Sequence, residues 1–246
     1  AALTLQTGVV AAMAVNNEIG VIHPLADIAA AAHQAGALVL VDAVQAYGRI
    51  ALPDNADMIA ISAHKIHGPK GIGALVVKRG TDVQARLKGG GQEMGRRAGT
   101  ENVIGAAGFA AAATAAARDL DAGVWVEVKR LRDLLETTLA DAAPDTIFIG
   151  QKSDRLPNTS CLAVPGWKGE TQVMQMDLAG YAISAGSACS SGKVKASAVL
   201  TAMGYDASVA SSAIRVSLGP ETRKEQVLGF ADKWLTQLEK YRAKAA

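Results

Sequence analysis

Residues 37–43 read ALVLVDA and residues 58–62 read MIAIS, two short apolar runs that end in Asp42 and Ser62 with polar residues close behind. Runs of this kind, apolar nearly throughout rather than alternating, describe strands buried on both faces, the habit of a mainly parallel sheet covered by helices. The run VVAAMAV at 9–15 has the same character, and the turn-forming asparagines of VNNEIG punctuate its end. Between it and residue 37, LADIAAAAHQAG reads as a helix, with Pro24 suited to its start and Gly36 to its cap. Strand, helix, strand is the unit from which parallel sheets are built. After MIAIS a loop without a helix leads to GALVVKR at 73–79, so this strand is expected to run antiparallel. In open sheets of this class the chemistry gathers at the carboxyl ends of the strands. Asn16, Asn17, Asp42, Gln45, Ser62 and Lys65 all fall there.

Further along, KGGGQEMGRRAGTE at 88–101 is too rich in glycine for a helix and reads as a loop. NVIGAAGFAAAATAAARDL reads as a long packed helix and VWVEVKRLRDLLETTLADA as another. PDTIFIG, PNTSCLAVPG and YAISAGSACSSG look like strands with their connections. A helix near 195–203, a strand AIRVSLG at 213–219 and an amphipathic helix 221–239 complete the pattern. The expected division is 1–120 as the remainder of a large α/β domain and 121–246 as a smaller α+β domain. A doubly wound sheet beginning at residue 9 with so few strands is short, and a further N-terminal part is expected.

Apolar residues make up 50% of the 246, which excludes disorder as the default. Lys and Arg number 25 against 23 Asp and Glu, and a net charge of +2 gives no reason to expect nucleic acid or an anionic membrane. The alanine-rich run GAAGFAAAATAAARDL is interrupted by glycines and followed by charges, so a soluble core helix is expected rather than a membrane span. Neither end looks like a targeting segment. With no secretory signal, Cys161 and Cys189 are expected as free thiols in a reducing compartment, the cytoplasm.

Lys65 sits in SAHKIHGPKG at 62–71. A lysine at a strand end is a surface amine, a phosphate contact, or an amine that joins an aldehyde cofactor once desolvation or nearby cations lower its pKa. Asp42 must be paired or face a cleft, because burying a lone carboxylate is costly. It suits the protonated nitrogen of a pyridine ring, or a cap or ion pair. Ser62, His64 and the backbone of GPKGIG could help hold a phosphate or simply form a turn. His64 and His67 do not make a metal site on a loop without helical periodicity, and no metal is expected. Cys189 lies in SAGSACSSG, nine residues without a bulky side chain, where a thiol can be carried toward a substrate or rest as a small hydrophobe. Cys161 reads as an inert strand residue. Arg215, alone in an apolar strand, calls for a carboxylate, either a substrate's or that of an acid such as Glu221.

Taken in order, VNNEIG, VDAVQ, SAHKIHGPKGIGAL, GGGQEMGRRAGTENV, SAGSACSSG and AIRVSLG run from residue 15 to residue 219. The set resembles the cysteine desulfurases of the NifS/IscS type, enzymes of the class V aminotransferase fold that depend on pyridoxal 5'-phosphate. The resemblance implies fold type I, with the C-terminal two thirds represented here. It implies that Lys65 binds the cofactor covalently, that Asp42 partners its ring nitrogen and Gln45 its ring hydroxyl, and that Asn17 lies near that edge. Ser62 and His64 match phosphate-binding positions, and Thr100 matches a threonine that reaches the phosphate in the neighbouring subunit of a homodimer. Arg215 matches the clamp for the substrate carboxylate, and Cys189 the nucleophile that takes sulfur from L-cysteine. The implied partner is an iron-sulfur scaffold or another sulfur acceptor. The resemblance also implies an N-terminal region with a phosphate-gripping turn and a ring-stacking histidine, neither of which this sequence carries. A selenocysteine lyase or related class V transferase is the nearest alternative, and a fragment acting only as a partner in a sulfur-transfer complex is another.

Overall fold

The computed structural model describes residues 3–4, 6–52, 54–186 and 196–245. The chain divides into two compact units, one of residues 1–15 with 23–122 and the other of residues 16–22 with 123–246.

The first unit is built on β1 (Val9–Met13), α1 (Leu25–Gln34), β2 (Leu38–Asp42), β3 (Met58–Ser62) and β4 (Gly73–Val77), in the sheet order β1-β2-β3-β4. β1, β2 and β3 are parallel, with Met13 opposite Asp42 and Asp42 opposite Ala60. β4 returns antiparallel, Ser62 facing Gly73, as its short helix-free connection requires. α1 buries Leu25, Ala29 and Ala32, an i, i+4, i+7 stripe that packs beside β1 and β2. The sheet is not covered on both faces as the apolar runs suggest: four of the five β4 residues are exposed, Leu75 and Val76 among them. The loop at 88–101 contains one turn, α2 (Gln92–Gly95), in which Glu93 and Met94 take left-handed backbone angles.

The alanine-rich helix α3 (Val103–Asp121) starts where the Asn102 side chain accepts the Gly105 N–H at 3.0 Å, a side-chain N-cap. It is not the packed core helix that composition suggests. Only Gly105 is fully buried, and the covered positions form one stripe while Val103 and Ile104 face outward. Among the described residues it is the helix long and apolar enough to cross a bilayer, by length and composition only.

Asp57 ties this unit together. Its Oδ2 meets His33 Nε2 at the end of α1 and accepts the Val39 N–H of β2, both at 2.8 Å. These bonds, that from His33 foremost, hold the carboxyl below its ordinary pKa against the cost of partial burial. A carboxyl with a lowered native pKa stabilises the fold above its unfolded value of about 4 and loses that contribution as pH falls through the native one. Asp57→Asn is therefore expected to lower stability by about 1–2 kcal/mol at pH 7. The gap in urea midpoint between variant and wild type should close below about pH 4, and a constant gap down to acid pH would refute the linkage.

The second unit has the antiparallel sheet order β5-β6-β8-β7, made by β5 (Ile147–Phe148), β6 (Thr159–Ala163), β7 (Ser184–Ala185) and β8 (Ile214–Ser217). Its helices are α4 (Val124–Ala142), α5 (Gly169–Leu178), α6 (Ala198–Ala202), α7 (Ala207–Ser212) and α8 (Lys224–Ala245). α4 buries Val128, Leu131, Leu135 and Leu139 at helical spacing and packs against α8. The core there holds Trp167 against Trp234, ring centroids 5.3 Å apart. A buried amide, Gln172, accepts the Trp234 Nε1–H and donates to the carbonyls of Trp167 and Ser212, so nothing polar is left over in it.

Glu136 of α4 forms another buried polar cluster. Its two oxygens accept from Arg155 Nη1 and Nη2 at 2.8 Å each, and Oε1 also accepts from Ser160 Oγ at 2.7 Å. The side chains of Arg155 and Glu136 are 5% and 8% exposed, which makes this an interior ion pair rather than a surface one.

Candidate active site

In the first unit, Asp42, Gln45, Ser62, His64 and Lys65 come together because β2 and β3 are parallel neighbours. Their chains leave the sheet at the same end. Asp42 closes β2, is exposed, and uses Oδ1 to accept the Val44 N–H at 3.0 Å, which turns the chain toward Gln45. Its other oxygen and the Gln45 amide have no partner among the described residues. Ser62 closes β3, and its Oγ shares a hydrogen bond of 2.8 Å with His64 Nδ1. Lys65 lies in the 3-10 turn Ala63–Ile66 rather than on the strand. The turn is closed by His67 in the left-handed region and by the Gly68 N–H on the Ala63 carbonyl at 2.9 Å. Lys65 is half-buried, and its amine is in no ion pair among the described residues. Thr100 belongs to the same unit, in the exposed segment before α3, without a hydrogen bond to the others among the described residues.

Sequence reading missed Arg49. Its Nη1 donates to the Gln45 carbonyl at 2.8 Å and its Nη2 to the Lys65 carbonyl at 2.6 Å. Burial of the guanidinium lowers its pKa from the usual value. The one signal was an arginine directly behind Gly48, easily taken for an exposed turn.

In the second unit, Asn17 and Arg215 come together. The 16–22 segment is a tight turn in which Asn16 Oδ1 accepts the N–H groups of Glu18 and Ile19, and Gly20 has φ of 72°. A Cβ at Gly20 would also lie 2.9 Å from Thr159 Cβ, so this position needs glycine twice over. Arg215 Nη1 donates to the Asn17 carbonyl at 2.6 Å and Nη2 to Ser184 Oγ at 3.3 Å, while Nε is buried without a partner among the described residues. The ion pair considered with Glu221 is not formed. The guanidinium retains donors for an anionic ligand. Ser184 was not singled out in the sequence, and only the strand pairing that sets it opposite Arg215 brings it forward.

Cys161, also opposite Arg215, is buried, and burial with a further push from Glu18 raises its thiol to about 12. It stays a thiol at neutral pH, as its strand setting suggests. Cys189 lies outside the described residues.

The first-unit groups offer a primary amine, a carboxylate at a strand end, a free amide and a hydroxyl-imidazole pair. That set fits pyridoxal phosphate: an amine for its aldehyde, a carboxylate for its ring nitrogen, an amide for its ring hydroxyl and donors for its phosphate.

The aminotransferase class-V family model matches residues 1–230, and the chain belongs to that family. It is 42% identical over 229 residues to a cysteine desulfurase of Enterobacter agglomerans, a match that takes in 92% of this chain and 57% of that protein. Among solved structures, a NifS-like protein superposes with a TM-score of 0.84 at 34% identity, covering 95% of this chain and 61% of that one. The NifS-like protein from Rickettsia africae superposes with a TM-score of 0.85 at 29% identity, covering 95% and 62%. The chain thus spans about three fifths of the length of these relatives. The family depends on pyridoxal phosphate, held through a lysine.

Proposed function

We propose that this chain supplies the cofactor lysine, the ring partner and the carboxylate clamp of a cysteine desulfurase, which converts L-cysteine to L-alanine and keeps the sulfur as a persulfide on Cys189. The observation that carries the reading is the placement of Lys65 and Asp42 on adjacent chain segments leaving the same end of paired parallel strands. The similarity to cysteine desulfurases supports the choice of reaction.

In this reading Lys65 holds the cofactor through its Nζ, Asp42 keeps a proton on the ring nitrogen, and Gln45 and Asn17 fix the ring hydroxyl edge. Ser62 and His64 bind the phosphate, and Thr100 binds that of the neighbouring subunit in a homodimer. When bound, the cofactor supplies the electron sink for breaking bonds at Cα and Cβ of the substrate. Arg215 takes the substrate carboxylate with its remaining donors. Lys65 Nζ would move the Cα proton of the substrate. The Cys189 thiolate attacks the substrate sulfur, the Cβ–S bond breaks, and the carbon skeleton is protonated and leaves as alanine. Cysteine plus one protein thiol give alanine plus one persulfide, which a sulfur acceptor such as an iron-sulfur scaffold then collects in the cytoplasm.

Cys189→Ser tests this directly. Cysteine-dependent alanine release should fall to background, the persulfide mass should vanish from the Cys189 peptide, and cofactor absorbance should persist. Undiminished alanine release in the variant would exclude Cys189 as the sulfur-accepting nucleophile.

A further inference from the structure

The turn that carries Lys65 is a four-residue 3-10 segment, a conformation with poor hydrogen-bond geometry that rarely stands by itself. Its own bonds use the Ala63 carbonyl and leave that of Lys65 to an outside donor. The turn after β2 has a similar need, since the Arg49 N–H goes to the Ala46 carbonyl and not to that of Gln45. One guanidinium meets both needs. Arg49 caps Gln45 through Nη1 and Lys65 through Nη2. The two nitrogens belong to one rigid plane, so the carbonyls they hold are kept at a fixed separation. Gly48 lets the arginine approach: a Cβ there would lie 2.8 Å from Ala116 Cβ of α3 and 3.3 Å from Ile66 Cγ2 of the lysine turn.

We infer that Arg49 is a positioning residue that locks the Lys65 turn to the Asp42–Gln45 segment, so that the amine and the ring-binding side chains keep one mutual geometry. The inference rests on the reading of Lys65 as the cofactor lysine. An ammonium on a flexible stem cannot reproduce a planar two-point hold, so Arg49→Lys is the discriminating variant and Arg49→Gln, neutral and too short to reach both carbonyls, is its companion.

The test uses the purified protein with and without pyridoxal phosphate. Borohydride reduction followed by peptide mass analysis measures cofactor attached to Lys65. In Arg49→Lys the cofactor concentration for half-labelling should rise about tenfold, the effect of losing one hydrogen bond from a charged donor. The pH midpoint of the visible band should shift with it. In cofactor-free protein, the acylation rate of Lys65 by an amine-selective reagent should change in both variants while circular dichroism does not. A folded Arg49→Lys with wild-type labelling, midpoint and acylation rate would overturn the inference, as would variants that both fail to fold, which would make Arg49 a general core residue. If wild-type Lys65 takes no label, the functional reading falls, and the acylation rates still decide the role of Arg49.

Discussion

Replacing Lys65 with alanine should abolish covalent attachment of pyridoxal phosphate and reduce cysteine-dependent alanine release by about a thousandfold or more. In the proposed function the effect is large because one side chain is asked to do two things: hold the cofactor and move the Cα proton. Loss of a residue that acts in several steps is not compensated by its neighbours. Asp42, Gln45, Ser62 and His64 would remain, so cofactor should still bind reversibly, and free amine added to the assay could restore part of the proton transfer. The measurements are borohydride labelling read on the peptide holding residue 65 and alanine release by mass. Wild-type protein labelled at a different lysine would move the active centre elsewhere.

The second large effect is on stability. Glu136→Gln should destabilise the second unit by roughly 3–5 kcal/mol, because Arg155 would keep its charge in the interior with its carboxylate gone. Replacing both partners by methionine should recover most of that loss, since an apolar pair of similar volume avoids the desolvation that the ion pair must offset. All three tryptophans, Trp125, Trp167 and Trp234, lie in this unit, so their fluorescence during urea unfolding reports on it selectively. Equal loss in the single and double variants would mean that the geometry of the cluster matters rather than its charge balance.

Much of the first unit could be read before any coordinates because its signals are local. Apolar runs ending in polar residues locate β2 and β3, and a connection without a crossover helix predicts the antiparallel β4. The positions of Asp42, Ser62 and Lys65 follow from where those strands end. What could not be read depends on partners far away in the chain. Arg49 looks like a surface turn until two carbonyls converge on it. Glu136 and Arg155 look like ordinary charges on an amphipathic helix and a loop, and only folding brings them together across 19 positions. The alanine-rich helix α3 failed for a different reason: alanine is at home both in a core and on an exposed helix face, so composition could not say how many of its sides are covered.

The seven residues 16–22 lie early in the sequence yet fold with residues 123–246. Ile19 takes a place in a core with Ile149, Cys161 and Leu200, and the Asn17 carbonyl holds Arg215. The polypeptide therefore passes between units three times, at 15/16, 22/23 and 122/123. No single break separates them into self-sufficient pieces: a gene divided after residue 122 would leave its downstream half without the loop that completes it. Such a cut would carry the first unit whole, with seven residues foreign to it, so the second unit alone cannot be moved into another protein by one recombination event without leaving part of itself behind.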